Sequence, residues 1–327
     1  MRFSLVLCLL LAGCAAAPRT ATVERRVALM GTSLEIAVEA TDRETALEAS
    51  ERAVRALEAA EARLSTWRDD TELARLNGAP AGRAVPLSPA LAADLESARR
   101  CWEETGGAFD PGVGALVRAW GLRTGGRQPG EEERRAAVAA GGLDGLRLEG
   151  GAAVRERSDL VLEEGGFGKG AGLADALDAL TETPGVARAS LDLGGQVAVL
   201  GERWSVPVAD PRRRERTVAE LTIDGGSVST SGTSERGRHI LDPRTGEPAP
   251  DFGSVTVWAA DPLRADCLST GLYVLGPERA LEWAATHPGV EALVLRPRGD
   301  RLEAWASPGL KGRLKTLVPE VRIEYRQ

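Results

Sequence analysis

Three groups of residues in this chain combine types and spacings that suit chemistry. The first is Gly165 to Asp175, Gly-Gly-Phe-Gly-Lys-Gly-Ala-Gly-Leu-Ala-Asp. Glycines let the backbone approach a ligand closely, and the amides at the start of a helix favour an anion. Lys169 adds a cation at the same place, so the stretch suits a diphosphate. A P-loop is excluded, because Gly170 stands where Ser or Thr must follow the lysine and Glu163 holds the leading glycine position. The dinucleotide fingerprint fits only loosely, as Gly166, Gly168 and Ala171, with no run of alternating strands and helices before it. A glycine-rich connection that binds nothing has the same composition.

The second group is Ala265-Asp266-Cys267-Leu268-Ser269-Thr270-Gly271. Asp266 and Thr270 are i and i+4 on a predicted helix, so their oxygens share a face. With Ser269 and a loop carbonyl they offer hard oxygen ligands for magnesium; the plainer alternative is a helix-start Asp beside a neutral Thr. The third group is Arg238-His239-Ile240-Leu241-Asp242-Pro243-Arg244-Thr245-Gly246. Of the two histidines, His239 and His287, the one beside Asp242 and Arg244 is the better candidate for proton transfer, although a lone histidine is more often structural. Trp67, near a helix end, suits either core packing or stacking on a planar ring.

The elements that must position these groups are legible in part. Val27 to Val38 alternates near period two and reads as one or two strands, broken at Gly31-Thr32. Thr41 and Glu44 form a capping box for a long helix with Leu47, Val54, Leu57 and Leu64 on one face. Ser88-Pro89 starts a helix that Gly106-Gly107 ends. Residues 124–156 read as a solvated helix and loops, and Leu160-Val161-Leu162 as a strand leading into the glycine turn and a following helix. Further strands are predicted at 189–193, 197–200, 204–208, 217–223, 227–230 and 254–259. No internal repeat or low-complexity linker separates autonomous domains.

With 327 residues the chain has ample length for a real core. A net charge of -7 argues against nucleic acid as the main partner. Residues 1–13 carry Arg2 and a short apolar run, which marks an export signal. Leu11-Ala12-Gly13-Cys14 resembles a lipobox, with Cys14 lipidated, residues 15–24 as a tether, and the protein anchored on the outer or periplasmic side of a membrane. Cys101 and Cys267 then remain, and their helical surroundings favour buried free thiols over a bridge.

Seven blocks stand in the order and rough spacing of the FAD:protein FMN transferase (ApbE) family: Met30-Gly31-Thr32, Ser65-Thr66-Trp67, Ala108-Phe109-Asp110-Pro111, Gly165 to Gly170, Leu193-Gly194-Gly195, His239 to Gly246, and Ala265-Asp266 through Thr270. The chain resembles that family over nearly its whole mature length. The resemblance implies an α+β fold, a duplicated T-fold-like arrangement of antiparallel sheets with packed helices, as one unit over residues 25–327. It implies Mg2+-dependent transfer of FMN from FAD to a Thr or Ser hydroxyl of an acceptor flavoprotein, such as a membrane electron-transfer subunit, with AMP leaving. The family's metal ligands fall on the Gly168 carbonyl, Asp266 and Thr270, with Ser269 placed to contribute. Nucleotide contacts fall on Met30, Trp67, Ala108, Phe109, Asp110, Gly165, Ala171 and Ile240, with Lys169 beside the diphosphate and Thr230-Ser231-Gly232 in the same cleft. His239 and Asp266 become the catalytic pair, the histidine as base for the acceptor hydroxyl.

The chain departs from the family at four places. Glu163-Glu164 replaces the common Asp-Leu, Gly168 replaces Ala before the lysine, Trp67 stands for Tyr, and Asp192 for Asn. Two rival readings keep the same residues: a Mg2+-dependent FAD pyrophosphatase giving FMN and AMP, and a non-catalytic FAD-binding lipoprotein.

Overall fold

The computed structural model describes residues 20–233 and 239–326. The expected leader at 1–13 and lipidated Cys14 lie outside them, as do the residues between Thr233 and His239. The first apolar alternation forms a hairpin, β1 (Ala21–Leu29) with β2 (Thr32–Ala40), across a turn in which Met30 and Gly31 both take positive φ. Residues 21–24, expected in the tether, are therefore part of a strand; β1 pairs with β2 from its first residue.

Among the described residues that hairpin opens a nine-stranded sheet. It continues through β6 (Val186–Leu193), β7 (Gln196–Leu200), β10 (Gly226–Gly232), β11 (Ser254–Ala259), β12 (Val290–Arg298), β13 (Arg301–Ala306) and β15 (Val321–Tyr325). Neighbours are antiparallel except β13 with β15. Two three-stranded sheets accompany it: β14 (Leu314–Thr316), β9 (Arg213–Ile223) and β8 (Trp204–Asp210); and β3 (Ala84–Pro86), β5 (Ala152–Arg155) and β4 (Leu146–Glu149). The helices are α1 (Arg43–Leu64), α2 (Glu72–Gly78), α3 (Pro89–Glu104), α4 (Gly114–Ala119), α5 (Glu131–Ala140), α6 (Gly168–Thr181), α7 (Pro262–Leu275) and α8 (Pro277–Thr286). The chain is thus α+β, with antiparallel sheets and packed helices.

Three local expectations are corrected. Asp42, not a Thr41–Glu44 box, caps α1 by accepting from the Thr45 amide at 2.8 Å; of the expected face Val54, Leu57 and Leu64 are buried, together with Ala46, Ala49, Ala53 and Ala60, while Leu47 is exposed. Leu160 to Leu162 is not a strand: Asn77 brackets the Leu162 backbone with two 2.9 Å hydrogen bonds, and Val161 makes a single bridge to Val113. Within 124–156, the β4–β5 hairpin buries Leu146, Ala153 and Val154, and buried Arg155 donates to the carbonyls of Leu76, Ala79 and Leu160. Such an arginine ties a loop to the core where no strand partner exists.

Helix α6 divides the core. Its start lends Ala171 to a cluster with Phe109, Phe167, Leu268 and Tyr273, while Leu173, Ala176 and Leu180 join a second cluster under β1, β2 and α1. Buried Arg63 of α1 pins the helices together, donating at 2.8 Å to Asp94 of α3 and at 2.8 Å to Asp175 of α6. Cys101 and Cys267 are free and buried where α3 meets α7, and burial pushes the Cys267 thiol up.

Burial pushes the Asp94 carboxyl from its ordinary 3.8 up to about 6, against the pull of Arg63. A carboxyl raised in the folded state favours folding when protonated, so this contribution is complete below the unfolded value and is lost as pH rises through about 6. Asp94→Asn is expected to remove roughly 3 kcal/mol from the fall in unfolding free energy between about pH 3 and about pH 8. Urea titrations of both proteins check this, and parallel pH profiles would contradict it.

Candidate active site

The site is built where α6 crosses α7. Gly170 lies so close to α7 that an added Cβ would stand 2.5 Å from the Pro262 carbonyl oxygen, 2.6 Å from Leu263 Cα and 2.8 Å from Asp266 Cβ. The Gly170 amide donates to Asp266 Oδ2 at 2.9 Å, and Lys169 Nζ lies 3.4 Å from Oδ1. This changes the expectation for the glycine loop. The Gly168 amide is bonded to the Glu164 carbonyl at 2.7 Å and the Gly170 amide to the Asp266 carboxylate. The anion held at the start of α6 is the protein's own aspartate.

Asp266 is buried, and hydroxyls surround it. Strand β10 turns Ser227, Ser229 and Ser231 to one face by its period of two. Ser229 Oγ is 3.5 Å from Asp266 Oδ1 and 3.1 Å from Ser269 Oγ, and Ser231 Oγ is 2.9 Å from Ser269 Oγ and 3.4 Å from Thr270 Oγ1. Ser269 also donates to the Asp266 carbonyl at 2.9 Å. Gln196 braces this corner by donating to the Pro262 carbonyl at 2.9 Å. The alternating serines at 227, 229 and 231 were a visible signal, since polar side chains on the buried face of a strand need partners. Of them, sequence reasoning singled out only Ser231.

Phe109 wedges against this corner. A Cβ on Gly166 would meet its ring at 3.1 Å, and one on Gly271 would meet its Cβ at 2.9 Å. Ala108, Phe109, Ala171 and Ile240 all belong to the main apolar cluster, so they present the edge of the core and no open surface. Met30 packs against the second cluster, its sulfur 3.2 Å from where a Gly172 Cβ would stand. Asp110 uses both carboxylate oxygens on backbone amides, Gly112 at 2.7 Å and Gly142 at 2.8 Å, and burial pushes its carboxyl up. It braces the turn before α4.

Trp67 is 69% exposed and so does not pack in the core. The turn that carries it is joined to the glycine loop: Thr66 Oγ1 donates toward Glu163 at 3.0 Å and also contacts Glu164. Arg123, unflagged in the sequence, reaches Thr66, Glu163 and the Trp67 ring. Burial pushes the Glu163 carboxyl up while Arg123 pulls it down. Gly165 is exposed at the mouth of the loop. His239 is half-buried beside Ile240, and its neighbour Asp242 is committed to Arg244, with bonds of 2.8 Å to both Nε and Nη2. Grooves of about 590 Å3, lined by Arg75 and Arg83, and about 570 Å3, lined by Glu35, Asp192 and Trp204, share no residue with this cluster.

The donor set decides which metal fits. Among the described residues no three His, Cys, Asp or Glu side chains are grouped as for a transition-metal centre. One carboxylate with the Ser269 and Thr270 hydroxyls beside it is a hard-oxygen set that fits magnesium, which takes few protein ligands and keeps positions for phosphate and water.

The chain matches the family described as the ApbE family over residues 30–294. It is 33% identical to the FAD:protein FMN transferase of Salmonella typhimurium, covering 95% of this chain and 97% of that one. It is 32% identical to the protein of the same name from Escherichia coli K12, covering 86% of each. Its structure is similar to the flavin transferase ApbE from Vibrio cholerae, with a TM-score of 0.79 at 27% identity over 90% of this chain and 100% of that one.

The crossing predicts the effect of a single methyl. Gly170→Ala is expected to lower the unfolding free energy by about 1–3 kcal/mol, because helix backbone must move to admit it. Gly165→Ala, with nothing within 4 Å of the added carbon, is expected to change it little. Equal denaturation midpoints for the two variants would contradict the tight crossing.

Proposed function

This chain belongs to the ApbE family, and from that premise we propose that it transfers FMN from FAD to a Thr or Ser hydroxyl of an acceptor flavoprotein. The observation that carries the reading is the convergence of Lys169, the Gly170 amide, Asp266, Ser269 and Thr270 at one helix crossing. In the reaction the acceptor oxygen bonds to the FMN phosphorus, the bond from that phosphorus to the bridging oxygen breaks, AMP leaves with that oxygen, and the hydroxyl proton passes to a base. His239 takes that proton.

The protein's contribution to such a transfer is positioning and charge neutralisation. Lys169 and Asp266 hold opposite charges in contact at the crossing, so the lysine is placed to meet a diphosphate and the aspartate to hold a cation against it. Asp266, Ser269, Thr270 and the Gly168 carbonyl would hold Mg2+, which supplies charge neutralisation on the diphosphate oxygens. Trp67 offers an exposed indole face to the flavin ring. Gly165, exposed at the mouth of the loop, borders the nucleotide, and Met30, Ala108, Phe109, Asp110, Ala171 and Ile240 form the packed wall behind it. The leader at 1–13 exports the protein and is removed, and lipidated Cys14 anchors it on the outer or periplasmic side of a membrane, where a membrane electron-transfer subunit is the acceptor. The lipobox resemblance of Leu11 to Cys14 supports that placement.

The test is to incubate the chain from Ala15 onward with FAD, Mg2+ and an acceptor domain, following AMP release and protein-bound flavin fluorescence. Covalent labelling that stops on addition of a chelator is expected. Free FMN with AMP and no labelling would establish the pyrophosphatase instead, and bound FAD without AMP the carrier. Asp266→Ala is expected to abolish labelling, whereas His239→Ala should bind FAD and label about 10²–10⁴-fold more slowly. Loss of FAD binding in the histidine variant would refute its role as base.

A further inference from the structure

We propose that Arg123 is a positioning residue for the flavin-ring subsite, acting through Trp67; this rests on the functional reading above. An indole has two faces, and the Arg123 guanidinium covers one of them, with Cζ 4.5 Å from the ring centroid. The other face is what an exposed Trp67 leaves for a planar ligand.

The guanidinium is itself fixed from three sides. Nη1 donates to the Thr66 carbonyl at 2.7 Å, and Nη2 contacts both the Thr66 hydroxyl and the Glu163 carboxylate. Glu163 is anchored in turn, its amide donating to the Pro111 carbonyl at 2.7 Å. Glu163 leads through Glu164 into Gly165 to Gly170. One side chain therefore ties the turn carrying Trp67, the loop after α4 and the segment entering the glycine loop.

Flavin ring and diphosphate are covalently joined, so the separation of their two subsites must be held. The Arg123 clamp spans that separation. Because Glu163 neutralises Arg123, the clamp acts through geometry and adds no net charge to the nucleotide site. A lysine cannot reproduce it, since one ammonium cannot lie flat on an indole and fork to two oxygens at once.

The test is a double-mutant cycle between Arg123→Met and Trp67→Leu, read as FAD dissociation constants from flavin fluorescence and as the split between KM and kcat. Arg123→Met is expected to weaken FAD binding about tenfold and to raise KM more than it lowers kcat. In the Trp67→Leu background the same change should alter binding less than about twofold. Arg123→Lys, which keeps the charge and guards against a folding defect in the methionine variant, should show the same weakening. Full additivity, or full restoration by lysine, would overturn the inference alone. A wild-type protein that binds no FAD would overturn the functional reading and this inference with it.

Discussion

Helices α6 and α7 meet with no side chain between them at Gly170, and the carboxylate of Asp266 closes the contact on the Gly170 amide. A helix start attracts an anion; here the attraction is satisfied from within the chain. The carboxylate is thereby held buried in one orientation, with its second oxygen toward Lys169 and Ser229. A charge kept out of water needs partners. The hydroxyls of Ser229, Ser231, Ser269 and Thr270 and the lysine surround it, and a divalent cation carrying substrate phosphate would complete the set.

The rest of the fold keeps that crossing in place. Arg63 fixes α6 to α1 and α3, Gln196 ties β7 to the first residue of α7, and the serine face of β10 backs the hydroxyl cluster. Phe109 fills the corner where Gly166 and Gly271 admit it. Two apolar clusters meet along α6, so the site lies on a seam of the core and inherits its rigidity.

Much of this was legible in the chain. Periodicity placed β2, β6, β7 and β11 where they stand, Ser88-Pro89 and Gly106-Gly107 marked the ends of α3, and the motif blocks brought Lys169, Asp266, Ser269 and Thr270 to one place. Tertiary partners hid the rest. Leu160 to Leu162 has a strand's composition, but Asn77 occupies the backbone of Leu162 where a neighbouring strand would pair. The loop amides read as an open anion site because nothing local announces that Asp266, 96 residues beyond Gly170, will claim one of them. Arg123 gave no signal, lying in a Gly- and Arg-rich stretch whose partners are 40 and 57 residues away. Ser227 and Ser229 are readable alongside Ser231 as a polar row on a strand's inner face.

The proposed transfer requires Asp266 to hold the cation of a flavin nucleotide site. Anomalous scattering from Mn2+ in crystals grown with FAD tests that directly. A metal peak bonded to the Asp266 carboxylate and a Thr270 or Ser269 hydroxyl is expected, with diphosphate oxygens on its far side beside Lys169. A peak seated on Glu163 and Glu164, or FAD bound with its diphosphate away from the α6–α7 crossing, would contradict it.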